Sequence, residues 1–318
     1  MSFSSDVKEE LSRQISKSRH CQLAEIGAIL GFLGRIEGKG SSVLLTVHTE
    51  NISVAKKYFS LVKKAFGMNA ALKVQQNAGL HKGRTCVVSV DGEEQVLKIL
   101  KAVKWMDEQG AFVRDSGLVN GLLVQNACCR RAFIRGAYLT AGSMSDPEKS
   151  YHFEIVCPDM EKARQMQAII NSFDLDAKIV GRKHCFVVYL KEGSQIVDML
   201  NVMEAHVALM DLENVRILKE MRNSVNRKVN CETANLNKTV SASIKQVEDI
   251  TYIQNTVGLE TLNDGLREMA KLRLQYPEMA LQELGTMLNP PVGKSGVNHR
   301  LRKLGVIAEE IRQKAGKG

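Results

Sequence analysis

The chain has 318 residues, of which 44% are hydrophobic and 25% charged, and carries a formal charge of +9 at pH 7. That balance supports packed cores and excludes disorder for most of the chain, while the length predicts two or three domains. The charge favours polyanionic partners, nucleic acid first among them, and the lack of any apolar run of about 18 residues excludes a spanning helix.

Residues 1–10 are polar, with Asp6, Glu9 and Glu10, and lack the charged-then-apolar layout of a secretory signal, so a cytoplasmic protein is expected. The seven cysteines, Cys21, Cys86, Cys128, Cys129, Cys157, Cys185 and Cys231, are odd in number and form no C-x-x-C pair. Neither a disulfide framework nor a zinc site has that spacing. Buried, reduced thiols are expected, with no metal and no cofactor.

The next 180 or so residues contain a duplication. Residues 26–34 (IGAILGFLG) match residues 134–142 (IRGAYLTAG) at an offset of 108, and the same offset pairs residues 43–47 with 151–155. It continues through the helical pattern of residues 53–66, pairing Ala55 with Ala163 and Val62 with Ile170. Residues 85–90 resemble 185–190, and QVLKIL at 95–100 matches QIVDML at 195–200, now at an offset of 100. A longer loop around residues 76–83 accounts for the eight-residue change. Each repeat, about 22–105 and about 130–205, reads as a helix, strands with an intervening helix, and a closing helix. The Gly- and Ala-rich helices at 26–34 and 134–142 predict a close helix–helix interface between the two halves.

Two such helices, each ending in Gly before a sheet, resemble the paired helices of LAGLIDADG homing endonucleases. In that family an acidic residue just before each final Gly holds metal for phosphodiester cleavage. The matching positions here are Leu33 and Ala141, which have no ligand atom. Glu37, Asp146 and Glu148 lie downstream but not at equivalent places in the two repeats. The expectation is a protein without catalytic activity, with a residual homing-type endonuclease as the alternative. Arg130, Arg131, Arg135, Lys149 and Arg182, with Lys82 and Arg84 in the first repeat, form either a basic face or scattered solvated charges.

Apolar Leu212, Val215, Leu218 and Met221 predict a connecting helix at 212–225. The domain expectation is therefore 1–211, a linker at 212–225, and a helical domain at 226–318. Residues 239–253 and 259–274 read as further helices. Residues 279–288 predict a short helix with Leu281, Leu284 and Leu288 inward, broken by Asn289-Pro290-Pro291. A second helix restarts near Ser295, read as its N-cap, and buries Val297, Leu301 and Leu304. Lys294, Gly296, Asn298, His299, Arg302 and Lys303 then point away, with Arg300 at the flank. No acidic residue lies between Glu283 and Glu309. This is the layout of a helix-turn-helix at about 279–311, in which Asn and Arg suit base edges and Lys and Ser suit phosphates.

RRAFIRGAYLTAGSMSDPEKSYHFE at 130–154, NRKVNCETANLNKT at 226–239 and PPVGKSGVNHRLRKL at 290–304 together resemble the WhiA family, in which a degenerate LAGLIDADG-like domain precedes a helix-turn-helix. The similarity covers nearly the whole chain. It implies an α+β fold, a duplicated LAGLIDADG-like pseudo-dimer followed by an all-α helix-turn-helix domain. It also implies transcription regulation with roles in cell division and chromosome segregation, and in sporulation in some relatives. It marks Asn226, Arg227, Asn230, Asn235 and Lys238 either as a second DNA contact or as capping and helix-packing residues. The expected partner is double-stranded DNA on the nucleoid, with another transcription or division protein as a further one. The alternative within binding proteins is a division or nucleoid interaction protein that uses DNA as an anchor.

Overall fold

A computed structural model describes residues 2–39, 42–76, 84–107, 109, 111 and 118–315. The chain forms two compact units, Met1–Lys219 and Glu220–Gly318. The expected loop at 76–83 and Lys82 lie almost wholly outside the described residues, with only Gln76 inside them.

The first unit opens with α1 (Phe3–Arg13), which the polar residues at 1–10 do not announce. Ser2 caps it, and Val7 and Leu11 are its buried side. The first repeat follows as α2 (Arg19–Leu33), β1 (Gly34–Lys39), β2 (Ser42–Thr49), α3 (Ile52–Phe66), β3 (Ala71–Gln76), β4 (Arg84–Asp91) and α4 (Glu93–Ala102). The second repeats the order as α5 (Ala127–Ala141), β5 (Gly142–Met144), β6 (Phe153–Cys157), α6 (Met160–Asn171), β7 (Lys178–Arg182), β8 (Cys185–Leu190) and α7 (Gly193–Met203). Both sheets are antiparallel, ordered β1-β2-β4-β3 and β5-β6-β8-β7. Even the register is duplicated: Gly34 faces Val47 as Gly142 faces Ile155, and Leu45 faces Val90 as Phe153 faces Leu190.

α2 and α5 pack along one another at the centre of this unit. α2 buries nine of its residues, including Ile26, Ala28, Ile29 and Leu30, as a helix apolar all round must. The two helices approach closely at Gly136, where a Cβ would sit 2.7 Å from the Glu25 carbonyl oxygen and 2.8 Å from Ala28 Cβ. At the far ends, Gly34 and Gly142 pass directly from helix to strand. A Cβ there would lie 2.6 Å from Leu30 O and 2.7 Å from Tyr138 O, so both repeats need glycine at that step.

The second unit contains most of α8 (His206–Thr256), a single 51-residue helix. The separate helices expected at 212–225 and 239–253 are thus one. The Asn-, Thr- and Ser-rich stretch between them lowers helix propensity, but it contains no Gly or Pro to stop the helix. Gly258, at φ 80°, ends it by donating its N–H to Ile253 O. The helix expected at 259–274 starts later, as α9 (Asp264–Gln275), after a 3₁₀ turn and an Asn263 cap. α10 (Leu281–Thr286) and α11 (Lys294–Ala315) complete the unit. Ile250, Ile253, Leu266, Met269, Leu284, Leu288, Val297, Leu301, Leu304 and Ala308 form its core. No described helix is long and apolar enough to cross a membrane.

Candidate nucleic-acid interface

α10, the turn at 287–293 and α11 pack as a short helix, a turn and a longer helix. Their angle is set where the turn touches α10. Val292 donates its N–H to Gly285 O at 2.9 Å, and a Cβ on Gly285 would lie 2.0 Å from Val292 O. Arg273, buried on α9, donates to Gln246 on α8 and to the Met279 carbonyl ahead of α10, which locks the supporting helices together. The Asn289–Pro290 bond in the turn is cis.

α11 begins at Lys294, and Val297 donates its N–H to Gly293 O. Ser295 therefore lies in the first turn and is not the N-cap expected of it, because the helix starts at Lys294, two residues earlier than a Ser295 cap would give. Val297, Leu301 and Leu304 are buried, and Ala308 extends their stripe by one turn. Lys294, Ser295, His299, Arg302 and Lys303 are exposed. Two other residues do not point away as expected, and Arg300 stands at the flank. Gly296 packs against Val292, whose Cγ1 is 2.3 Å from where a Cβ would be. Asn298 is half-buried and shares with Arg302 and Asp249 a groove between α8 and α11. Arg300, also half-buried, donates to the Gly265 carbonyl at 3.3 Å.

Asn226, Arg227, Asn230, Asn235 and Lys238 are exposed in the middle of α8. The capping and packing reading of these asparagines fails, because the helix runs through them without an end. Asn226, Arg227 and Asn230 line one shallow recess.

In the first unit, the nuclease positions Leu33 and Ala141 are the last residues of α2 and α5 and place no carboxylate there. Glu37 is a half-exposed strand residue near Thr46 and His48, and Asp146 forms a local turn with Glu148. The cations proposed for a basic face differ in their surroundings. Arg130 and Arg131 stack over Phe173, at 5.7 and 5.2 Å from its ring centroid. Arg135 is buried, so it is no surface contact at all. It donates to Glu204 at 2.7 Å and to Ser16 at 2.8 Å and lies 3.7 Å from Glu25. Lys57, equally buried, is 3.0 Å from the same Glu25 carboxylate and donates to the Leu11 and Gln14 carbonyls. Burial pushes the Glu25 carboxyl up and the Lys57 ammonium down against the attraction between them.

On the second sheet, Arg182 is paired with Glu154 at 2.8 Å. Partial burial pushes the Glu154 carboxyl up. The opposing effects of His152, Ser143 and Arg182 outweigh burial and hold it below the ordinary glutamate value. Lys149 is exposed beside Asp146 and Glu148, and Arg84 begins β4.

The cysteines also divide differently from the expectation. Cys21, Cys86, Cys129 and Cys157 are buried, but Cys128 and Cys231 are exposed, at the start of α5 and midway along α8.

Three family profiles match the chain in succession. They are a WhiA N-terminal LAGLIDADG-like domain over residues 19–105, a WhiA LAGLIDADG-like domain over 130–222 and a WhiA C-terminal HTH domain over 225–308. A probable cell division protein WhiA of Lachnoclostridium phytofermentans is 54% identical over 98% of this chain and all of its own length. Its counterpart in Alkaliphilus oremlandii is 50% identical over 98% of each. The solved structure of full-length DUF199/WhiA from Thermatoga maritima superposes with a TM-score of 0.60 at 22% identity, covering 98% of this chain and 99% of that one.

Proposed function

Because the chain belongs to the WhiA family, we propose that it is a sequence-specific DNA-binding regulator of cell division and chromosome segregation that reads duplex DNA with α11. One arrangement carries this reading. Val297, Leu301 and Leu304 anchor one side of the helix, and Lys294, Ser295, His299, Arg302 and Lys303 stand free on the other. Arg302 has the reach and fork for a guanine edge, and Asn298 beside it has the amide for an adenine. Lys294, Ser295, Lys303 and His299 suit the flanking backbone, and Gly296 seats the helix start against Val292. Arg300, held by Gly265, lies at the edge of this footprint. Arg227 and Lys238, three turns apart on α8, with Asn226, Asn230 and Asn235, form a second contact.

The chain acts by binding, without nuclease activity, in the cytoplasm and on the nucleoid. The first unit favours protein docking over added DNA affinity, because Arg182 is neutralised by Glu154 and Arg135 is buried. Selection from a random duplex pool by the full chain tests the reading. Enrichment of one motif supports a regulator, and recovery of an unbiased pool contradicts it. Plasmid incubated with the protein and Mg²⁺ or Mn²⁺ should stay intact, and cutting would reinstate the nuclease.

A further inference from the structure

α2 and α5 begin next to one another, and their first turns bring four soft ligand atoms together. His20, Cys21, Cys128 and Cys129 each present one, all within 4.8 Å of one another. His20 Nδ1 lies 3.1 Å from Cys129 Sγ, 3.3 Å from Cys21 Sγ and 4.0 Å from Cys128 Sγ. A tetrahedral zinc ion with Zn–N of about 2.0 Å and Zn–S of about 2.3 Å has N···S edges of about 3.5 Å, and the three distances bracket that value. Thiols are weak hydrogen-bond donors and acceptors, so their mutual contacts give little reason for three of them to gather on one imidazole.

From this geometry we infer that His20, Cys21, Cys128 and Cys129 bind one Zn²⁺ ion in a closed, structural Cys₃His site. Binding replaces three thiol protons, which pass to water, and involves no redox step. The three thiolates leave the loaded site with one negative charge, and the N-terminal ends of two helices offset it. Cys21 and Cys129 form the buried wall, while His20 and Cys128 face solvent and give the ion its way in. All four positions are filled by protein, so no place remains for a reactive water. The site is also at the wrong end of the helices for nuclease chemistry. Leu33 and Ala141 lie a full helix length away, about 20 Å at 1.5 Å per residue. The ion joins the two repeats where they begin, as Gly136 allows them to touch further along.

The test uses the full chain, purified with reductant, stripped by chelator and titrated with Co²⁺ and then Zn²⁺. The inference predicts one equivalent of Co²⁺, with the intense visible bands of a tetrahedral thiolate site and a thiolate charge-transfer band, all displaced by Zn²⁺. Cys128→Ser changes an exposed position and should fold normally by circular dichroism. It should weaken Zn²⁺ binding by at least about tenfold, the least that loss of an outer-shell partner costs such sites. Cys21→Ser should do the same, whereas Cys231→Ser on α8 should bind like the parent. No tetrahedral cobalt spectrum, an unchanged spectrum in Cys128→Ser, or a Cys21 disulfide to Cys128 or Cys129 in the reduced preparation would each overturn the inference.

Discussion

Val292 and Gly285 are locked to each other: the valine N–H bonds the glycine carbonyl at 2.9 Å, and the valine carbonyl occupies the space where a side chain on residue 285 would begin. The turn between α10 and α11 is therefore held by backbone against backbone, with no flexible atom to give way. Gly285→Ala should destabilise the second unit by about 1–3 kcal/mol, the usual cost of forcing a methyl into filled space. Thermal unfolding of the full chain would measure it. DNA affinity should fall with it at temperatures where the first unit is still folded, since the angle of α11 depends on this contact.

Gly136 plays the corresponding part in the first unit. Its absent Cβ would overlap the Glu25 carbonyl and Ala28 Cβ. Gly136→Ala should lower stability by about 1–3 kcal/mol, and Gly136→Val by more, because both neighbours sit on a helix that cannot retreat. Denaturant midpoints of the two variants should follow that order.

The Glu25 carboxylate answers two buried cations, Lys57 and Arg135, that come from different repeats. Glu25→Ala leaves buried Lys57 with no carboxylate partner and Arg135 with Glu204 alone, and should cost about 3–5 kcal/mol, the penalty of leaving buried charge uncompensated. Glu9→Ala, which breaks the exposed pair with Arg13, should be almost neutral, and urea titration of both variants would measure the difference.

Glu154 sets a pH dependence. Its carboxyl is held below the ordinary value of 4.5, so its pairing with His152, Ser143 and Arg182 stabilises the fold above that pH. The contribution is lost as pH falls through the lower, folded value. Glu154→Gln should flatten this acid limb, and unfolding curves collected down the acid range would show it.

Much of the fold is legible in the sequence because the duplication is local and periodic. Gly34 and Gly142, at the ends of matching helices, place both helix-to-strand steps, and the turn at Pro290-Pro291 and the stripe of Val297, Leu301 and Leu304 place α11. Long-range consequences are not legible. Arg135 reads as a surface cation because nothing near it in the chain announces Glu25 or Glu204. Cys21 and Cys128 are more than a hundred residues apart, so spacing rules for zinc sites cannot connect them, and only the neighbouring pairs His20-Cys21 and Cys128-Cys129 hint at ligands. The fate of Asn298, Gly296 and Arg300 depends on which neighbouring helix crosses each side of α11. A wheel drawn for one helix does not contain that information.

The central claim is that the free side of α11 reads base sequence. Its most direct test compares Arg302→Ala and Lys294→Ala with the parent chain on the selected DNA site and on a scrambled duplex, across a salt series. Arg302→Ala should lose about 1–3 kcal/mol on the selected site and little on the scrambled one. Lys294→Ala should weaken both alike and reduce the salt slope by about one. Parental affinity for the selected site in both variants would contradict the claim.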